Sequence, residues 1–250
     1  MDSYESLAFS YDRLTEDISY SETLAFLETL FREKGRSPQS VLDLACGTGS
    51  LSVLMAEKGY SVLGADLSEE MLAVAYAKTM DMEGNRPYFI HQSMQKLRLP
   101  YEVDAVVCCL DSVNYLDRPE DCAKAFRQVY RALKPGGIFI FDINTPEKLR
   151  GLDGQVFLDE DDSVYCVWRA EFSEETNLCT YGMDIFRRQG SIWLRSDERH
   201  TEYAYTVEQL RGFLQDAGFS GITVYGDRTL HSPESGAQRI YLSAEKELGV

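Results

Sequence analysis

The sequence predicts an α/β fold: a doubly wound, mostly parallel seven-stranded sheet with an antiparallel β insertion after the fifth strand. Between residues 40 and 142, short apolar runs alternate with amphipathic helical segments, the pattern of parallel strands joined by helices. One run, Val103 to Leu110, is mostly apolar, as expected of a central strand that is buried on both faces. From about residue 155 to residue 205 the apolar period changes to two, which predicts antiparallel strands.

Length and composition indicate a single folded domain. The chain has 250 residues, of which 44% are hydrophobic and 12% aromatic, too apolar a composition for intrinsic disorder. The formal net charge of -16 would repel a phosphate backbone, which disfavours a nucleic-acid partner. No apolar stretch is long enough to cross a membrane, and the N-terminus lacks the pattern of a signal peptide. We therefore expect no membrane association and a cytoplasmic location.

Cysteines and histidines give no sign of a metal or disulfide framework. The six cysteines show no C-x-x-C spacing and lie mostly in apolar segments, so we expect reduced, buried thiols. The three histidines are widely separated and form no zinc pattern. Asp142 and Asn144 could hold Mg2+ together with Asp111, but oxygen side chains are common at strand ends, and we predict no metal. The sequence does not indicate an oligomeric state.

The first part of the chain predicts one helix and then strands and helices in alternation. Leu24, Leu27 and Phe31 recur at helical spacing before Gly35, where a helix would end. Ser68 has the side chain of a helix N-cap. The predicted strands in this part are 41–45, 61–65, 87–91 and 103–110, with helices at 50–58 and after Ser68.

The second part contains the predicted insertion and the end of the sheet. A helix is expected from Pro119, and a turn at 134–137 leads into the fifth strand at 138–142. Thr206 and Gln209 form a capping box for a helix that Gly218 ends. The remaining predicted strands are 164–172, 178–188 and 191–205 in the insertion, and 222–225 and 239–244 after it.

The segment most informative about function follows the first predicted strand and reads Asp43-Leu44-Ala45-Cys46-Gly47-Thr48-Gly49. Its two glycines let the backbone approach a ligand, and open parallel sheets bind ligands at the carboxyl ends of their strands. Asp66 ends the second strand, 19 residues after Gly47, where a carboxylate can accept hydrogen bonds from both ribose hydroxyls. Together these features predict a nucleoside site. Ser52 holds the sixth position of the dinucleotide fingerprint, which argues against a nicotinamide dinucleotide.

At these residues the chain resembles the class I S-adenosylmethionine-dependent methyltransferases, in which an acid stands four residues before the G-x-G, as Asp43 does here. The resemblance continues through residues 66–72 and through the 133–137 turn, so that it covers roughly residues 40 to 142. With its Tyr11-Asp12 pair the chain is most similar to bacterial small-molecule enzymes of this class. The resemblance implies a Rossmann-like methyltransferase fold and S-adenosylmethionine as the cofactor.

The resemblance also implies a role for individual residues. Those implied to bind the cofactor are Asp43, Ala45, Gly47 and Gly49 at the methionine part, Asp66 at the ribose, Leu67, Met71, Ser93 and Met94 at the adenine, Leu110 and Asp111 where cofactor and acceptor meet, and Tyr11 and Tyr20 in an N-terminal arm. Ser93 stands where relatives usually offer an acid to the adenine. The implied divisions are an arm and helix acting as a lid (1–35), a cofactor core (40–145), a substrate lid formed by the insertion (155–205) and a C-terminal part (206–250).

The chemistry of methyl transfer limits what the protein must supply. Displacement at a sulfonium methyl has an excellent leaving group, so positioning and exclusion of water matter most, and a general base is needed only for a protonated nucleophile. We expect the catalytic candidates to be His200, Tyr115 and Tyr11. The aromatic residues of the insertion could wall an acceptor pocket or only fill its core; they are Tyr165, Trp168, Phe172, Tyr181 and Trp193.

Methylation of a small molecule is the function that the sequence favours, and three alternatives stay open. An RNA or protein methyltransferase would share every motif, and the basic residues Arg187, Arg188, Arg195 and Arg199 could form a local patch for RNA. A nicotinamide-dependent oxidoreductase and a non-catalytic cofactor-binding protein are the other two.

Overall fold

The structure is a computed structural model that describes residues 19–249. The helices are α1 (Tyr20–Glu33), α2 (Ser50–Glu57), α3 (Glu69–Thr79), α4 (Pro119–Ala132), α5 (Pro146–Gly151) and α6 (Val207–Ala217), with 3-10 turns at Met94–Lys96 and Ser112–Tyr115. The strands are β1 (Ser40–Leu44), β2 (Ser61–Asp66), β3 (Tyr88–His91), β4 (Val103–Cys108), β5 (Leu133–Asn144), β6 (Val156–Glu160), β7 (Val164–Ser173), β8 (Leu178–Gln189), β9 (Ile192–Tyr203), β10 (Ser220–Gly226) and β11 (Arg239–Glu245).

The large sheet has seven strands in the order β10-β11-β5-β4-β1-β2-β3. Strands β1 to β5 pair in parallel, and β11 runs antiparallel to both of its neighbours, β5 and β10. The predicted doubly wound, mostly parallel sheet is confirmed. Because the strand order reverses direction at β1 and β4, the carboxyl ends of these strands border a crevice where such sheets bind ligands.

Capping residues set the ends of two helices as predicted. The Ser68 hydroxyl accepts the Met71 backbone N–H at 3.1 Å and begins α3. Thr206 and Gln209 form the reciprocal capping box of α6, and Gly218 ends that helix in the left-handed region with φ of 105°. The Ser68 cap holds the first residues of α3 beside the end of β2.

Two apolar layers cover the two faces of the large sheet. Val41 and Leu42 of β1 are both fully buried but pack into different clusters, since successive strand side chains point to opposite faces. Leu42 shares its layer with Phe126 of α4, and Val41 shares the other with Leu27 of α1. The sheet is therefore buried on both sides, and its strand ends are left to form the site.

The insertion is a separate antiparallel sheet, as predicted, but its strand number was underestimated. It has four strands in the order β6-β7-β8-β9, and the prediction of three is wrong because β6 pairs with β7 along its whole length. Side chains of β6 are largely exposed, so no buried face marked it in the sequence. Strand β5 begins at Leu133 rather than Ile138, because Leu133 already pairs with Val103 of β4, and Gly136 and Gly137 then bond to Lys246.

Two further sequence expectations concern burial. All six cysteines are free thiols, and each except Cys46 is buried. Within residues 19–249, no helix combines the length and apolarity that a membrane crossing needs.

Candidate active site at the carboxyl ends of the strands

The turn between β1 and α2 holds three residues in the left-handed backbone region. Ala45, Gly47 and Gly49 have φ of 59°, 54° and 74°. A Cβ on Gly49 would lie 2.9 Å from the Phe89 ring, so packing requires glycine there. A Cβ on Gly47 would meet no atom of the described residues within 4 Å. Glycine therefore serves tight packing at position 49, whereas at position 47 it serves the left-handed backbone and leaves the turn face open.

Asp66, at the end of β2, ties this turn to the next one. One carboxylate oxygen accepts the Gly47 backbone N–H at 2.8 Å, and the other accepts the Ser68 backbone N–H at 2.9 Å. Each oxygen has a further lone pair, so the carboxylate can still accept two hydroxyl donors. Burial raises the pKa of Asp66, while the backbone donors and the nearby His91 oppose that shift.

Asp43 lies in β1 behind the turn and is 2% exposed. Its carboxylate accepts the Ser52 hydroxyl at 2.5 Å. Burial raises the pKa of Asp43 to about 7, although the hydrogen bond from Ser52 opposes the shift. The sequence pattern marks Ser52 only as a departure from the dinucleotide fingerprint, so its bond to the acid is a contact that sequence reasoning missed. A buried acid that titrates near neutral pH at a strand end is a candidate partner for a cationic ligand group.

The residues expected beside adenine lie where β2 and β3 end. Leu67 is 64% exposed, Met71 is buried in the first turn of α3, and Ser93 and Met94 are half-buried. The His91 ring holds the backbone here, with Nε2 2.7 Å from the Leu67 carbonyl oxygen. An exposed leucine in a fixed turn gives this edge an apolar surface.

A buried ionic network, formed by Asp142, Arg239 and Asp111, fixes the loop after β4. The two carboxylate oxygens of the fully buried Asp142 accept the backbone N–H groups of Leu110 and Asp111, at 2.7 and 3.0 Å. The Arg239 guanidinium, from β11, donates to Asp142 and also to Asp111 at 2.5 Å. Leu110 and Asp111 have φ of 59° and 51°, a region that is unfavourable for leucine and that aspartate adopts more readily. The network stabilises this strained loop, and sequence reasoning missed both Asp142 in this role and Arg239.

Asn144, at the end of β5, links the sheet to the insertion. Its amide nitrogen donates to Glu202 at 2.9 Å, and its amide oxygen accepts from Lys148 at 2.8 Å. The Asn114 side chain bonds the Asn144 backbone and donates to the Tyr203 carbonyl oxygen at 3.0 Å. These contacts hold β9 against the loop after β4. Across residues 19–249, no group of acidic, histidine or cysteine side chains is arranged to hold a metal ion.

One face of β8 and β9, which we call the inner face, lies toward the loop after β4. It carries Tyr181, Glu198, His200 and Glu202, which are 8%, 8%, 3% and 3% exposed. The Glu198 carboxylate lies 3.0 Å from His200 Nε2. The Tyr115 ring centre lies 6.1 Å from that of His200, in an edge-on arrangement. The structure thus brings together two of the three predicted catalytic residues, His200 and Tyr115.

The pairing register of the insertion divides its five aromatic residues between two faces. Trp168, Phe172 and Tyr181 are on the inner face, whereas Tyr165 and Trp193 are on the outer face. Trp193 is 46% exposed. The prediction that all five could wall one pocket is wrong for Tyr165 and Trp193, because alternate strand residues point in opposite directions.

Of the two tyrosines expected to bind the cofactor from the N-terminal arm, the structure describes Tyr20 only. Tyr20 is the first residue of α1, is half-buried and packs against the layer of Leu27. Tyr11 lies outside the described residues. Its role in cofactor binding and catalysis therefore stays a prediction.

Replacing Arg239 tests the network around Asp142. Arg239→Ala leaves two neighbouring carboxylates without their cation, so we expect the free energy of unfolding in urea to fall by roughly 2–4 kcal/mol. Arg228→Ala is a matched control, because Arg228 pairs with Glu22 at the surface and should contribute less than about 1 kcal/mol. Equal, small losses in the two variants would contradict the stabilising role of the network.

Comparison with known proteins places the chain in a family. A profile described as a methyltransferase domain matches residues 41–137, which include the glycine turn and Asp66. A Bacillus subtilis (strain 168) protein named as a candidate methyltransferase, YqeM, is 34% identical over 246 residues, which are 97% of each chain. A glycine/sarcosine N-methyltransferase of Parasynechococcus marenigrum (strain WH8102) is 30% identical over 241 residues, 92% of this chain and 80% of the relative.

A solved structure extends the likeness to the whole fold. The crystal structure of an S-adenosylmethionine-dependent methyltransferase from Clostridium acetobutylicum ATCC 824 has a TM-score of 0.87 and 32% identity. It covers 98% of this chain and 99% of its own, so the likeness includes the insertion as well as the glycine turn. The chain therefore belongs to the class I S-adenosylmethionine-dependent methyltransferases, and S-adenosylmethionine is its cofactor.

Proposed function

We propose that this enzyme transfers the methyl group of S-adenosylmethionine to a small-molecule acceptor and releases S-adenosylhomocysteine. When bound, the cofactor supplies a methyl group on a sulfonium, from which in-line displacement proceeds with sulfur as the leaving group. The observation that carries the proposal is the hydrogen bond from the Gly47 backbone N–H to Asp66. The turn is open beside this bond, since no atom of the described residues would lie within 4 Å of a Cβ on Gly47. This observation supports a nucleoside site where β1 and β2 end.

The proposed cofactor contacts follow the edge of the sheet. Asp66 accepts the ribose hydroxyls, and the anionic Asp43 attracts the ammonium of the methionine part. The remaining proposed contacts are Ala45, Gly47 and Gly49 beside the methionine, Leu67, Met71, Ser93 and Met94 around the adenine, Leu110 and Asp111 at the acceptor, and Tyr11 and Tyr20 from the arm. These residues fit the chemistry of the cofactor, because carboxylates accept hydrogen bonds from hydroxyl and ammonium groups and the exposed Leu67 can cover an apolar base.

The proposed roles outside the cofactor site concern the acceptor. The insertion, residues 155–205, acts as a substrate lid that excludes water, and the arm and helix, residues 1–35, act as a second lid. His200 accepts a proton where the nucleophile carries one, and Tyr115 and Tyr11 position the acceptor. The His200–Glu198 contact at 3.0 Å on the buried inner face, with the Tyr115 ring beside His200, supports these roles.

A macromolecular acceptor is the main alternative, and electrostatics disfavour RNA. Arg169 and Arg195 on the outer face both bind the Asp184 carboxylate, at 2.6 and 2.5 Å, so these two guanidiniums are already paired. The chain carries a net charge of -16. Phosphate binding relies on uncompensated basic charge, and Asp184 compensates Arg195, one of the four arginines of the predicted patch. Membership of the methyltransferase family argues against a nicotinamide-dependent oxidoreductase and against a non-catalytic protein. A cytoplasmic location stays a prediction.

Asp66→Asn tests the proposed cofactor site, because it keeps the size of the side chain but removes its charge. We expect the affinity for S-adenosylhomocysteine, measured by calorimetric titration, to fall about tenfold or more, as charge-assisted hydrogen bonds contribute about 1.5–3 kcal/mol. The exposed Asp81 gives a matched control, and Asp81→Asn should bind like the wild type. A wild-type protein that binds neither S-adenosylmethionine nor its product would contradict the proposal, and unchanged binding by Asp66→Asn would contradict the ribose assignment.

The raised pKa of Asp43 predicts that cofactor binding depends on pH. In the free enzyme this carboxyl has a pKa of about 7, so below that pH it must lose a proton before it can pair with the ammonium of the methionine part. Affinity for S-adenosylmethionine should therefore rise with pH up to about 7, by at most about tenfold per pH unit. Asp43→Asn should bind more weakly and lose this component of the slope. A slope that Asp43→Asn leaves unchanged would contradict the assignment.

A further inference from the structure

Strand β9 presents charged side chains on both of its faces, and only one face is solvated. Asp197 and Arg199 are exposed, whereas Glu198, His200 and Glu202 on the inner face are at most 8% exposed. Burying ionisable groups is costly unless neighbours compensate for the lost hydration. Three such groups at alternate positions of a single strand therefore call for a functional explanation.

Glu198 and His200 form the first part of this cluster. Their side chains lie 3.0 Å apart through His200 Nε2. A carboxylate in contact with one ring nitrogen orients the imidazole and stabilises the positive charge that a proton transfer leaves on it. This pair is an arrangement that can take a proton from a nucleophile.

Glu202 forms the second part and is held from two sides. It accepts hydrogen bonds from the Asn144 amide at 2.9 Å and from the Tyr181 hydroxyl. Burial, with Asp111 as the next largest cause, raises the pKa of Glu202 to about 8. A positive charge brought close to this carboxyl would favour its ionised form.

The charges around the inner face are predominantly negative. The carboxyl groups are those of Glu198 and Glu202 on this face, Asp111 in the adjoining loop and Asp142 at the end of β5. Arg187 also lies on this face, but at the other end of β8, where it pairs with Leu194. The Arg239 guanidinium is shared between Asp111 and Asp142, and Lys148 donates to an amide oxygen at 2.8 Å. A carboxylate or phosphate acceptor would be repelled here, and a cation would be attracted.

The cluster also lies next to the proposed methyl-transfer site. Tyr115, in the loop that begins at Asp111, is 6.1 Å from His200 between ring centres. Asn114 of the same loop donates to the Tyr203 carbonyl oxygen of β9 at 3.0 Å. The loop that lines the proposed boundary between cofactor and acceptor is therefore attached to the strand that carries the cluster.

We propose that the acceptor is a primary or secondary amine, bound as its ammonium ion between the Glu198–His200 pair and Glu202, and deprotonated by His200. This inference rests on the proposed function. One N–H bond of the ammonium breaks, the proton goes to the imidazole, and the electron pair stays on nitrogen. That pair forms the new N–C bond as the S–C bond breaks and its electrons go to sulfur. The positive charge of the sulfonium ends on the methylated amine, and His200 passes its proton to solvent.

Matched acceptor analogues test the charge of the ligand. The probes are benzylamine and cyclohexylamine, each compared with the alcohol and the carboxylate of the same skeleton, titrated into the full-length enzyme saturated with S-adenosylhomocysteine near neutral pH. We expect the amines to bind about tenfold or more tightly than the matched alcohols, since a partly buried ion pair is involved. With S-adenosylmethionine, mass spectrometry should show N-methylated product. Alcohols or carboxylates that bind as well as the amines, or amines that do not bind at all, would overturn the proposal.

Variants of β9 separate binding from proton transfer. Glu202→Gln should weaken amine binding but not alcohol binding. His200→Gln should leave amine binding within a few-fold and lower kcat about 100-fold or more, a deficit that shrinks at high pH, where the amine is already neutral. Arg199→Gln, on the exposed face of the same strand, is the control and should change neither quantity. Equal effects of Glu202→Gln on amines and alcohols would contradict the ammonium site.

The same titrations distinguish failure of this inference from failure of the proposed function. If the enzyme binds S-adenosylhomocysteine but prefers the alcohols, the cofactor site is supported and only the amine assignment is wrong. If the enzyme does not bind S-adenosylhomocysteine, both proposals are wrong.

Discussion

The carboxylate of Asp142 lies at the end of β5 with no exposed surface, and it holds groups from two other parts of the chain. It accepts the backbone N–H groups of Leu110 and Asp111 and an N–H of Arg239 from β11. Burial raises the pKa of Asp142, while the guanidinium of Arg239 favours its ionised form. The loop after β4 can keep two residues at positive φ because these bonds stabilise it.

The position of that loop determines how the rest of the site is assembled. On one side the loop follows β4, which pairs with the strand that carries Asp43, and on the other Asn114 attaches the loop to β9. The antiparallel insertion is thereby held with its inner face against the strand ends rather than projecting freely. Carboxyl groups are concentrated from the ends of β1 and β2 to the inner face. Burial raises the pKa of Asp43, Asp66 and Glu202 among them. Such a site suits a cationic cofactor and, in our proposal, a cationic acceptor.

The parts of this arrangement that the sequence predicts are those set by near neighbours or by a short motif. Ser68 and the Thr206–Gln209 box mark helix starts because a cap bonds a backbone N–H about three residues away. The pair of Gly47 and Asp66 could be predicted because adjacent parallel strands bring their carboxyl ends together.

What the sequence does not reveal depends on distant contacts or on register. Arg239 and Asp142 are 97 positions apart, and neither carries a local signal of the ion pair. The Ser52–Asp43 bond depends on how α2 returns over β1. Alternation identifies the strands of the insertion, but their pairing decides which face Trp193 and His200 take. The exposed strand β6 lacks the buried face that would mark it.

We propose that the cofactor lies across the ends of β1, β2 and β4 with its sulfur directed at the inner face of the insertion. A crystal structure of the enzyme with S-adenosylhomocysteine tests this most directly. We expect the ribose hydroxyls on Asp66, the adenine against Leu67, and the sulfur on the side of Asp111 that faces His200. A nucleoside bound away from Asp66, or a sulfur directed away from the inner face, would contradict it.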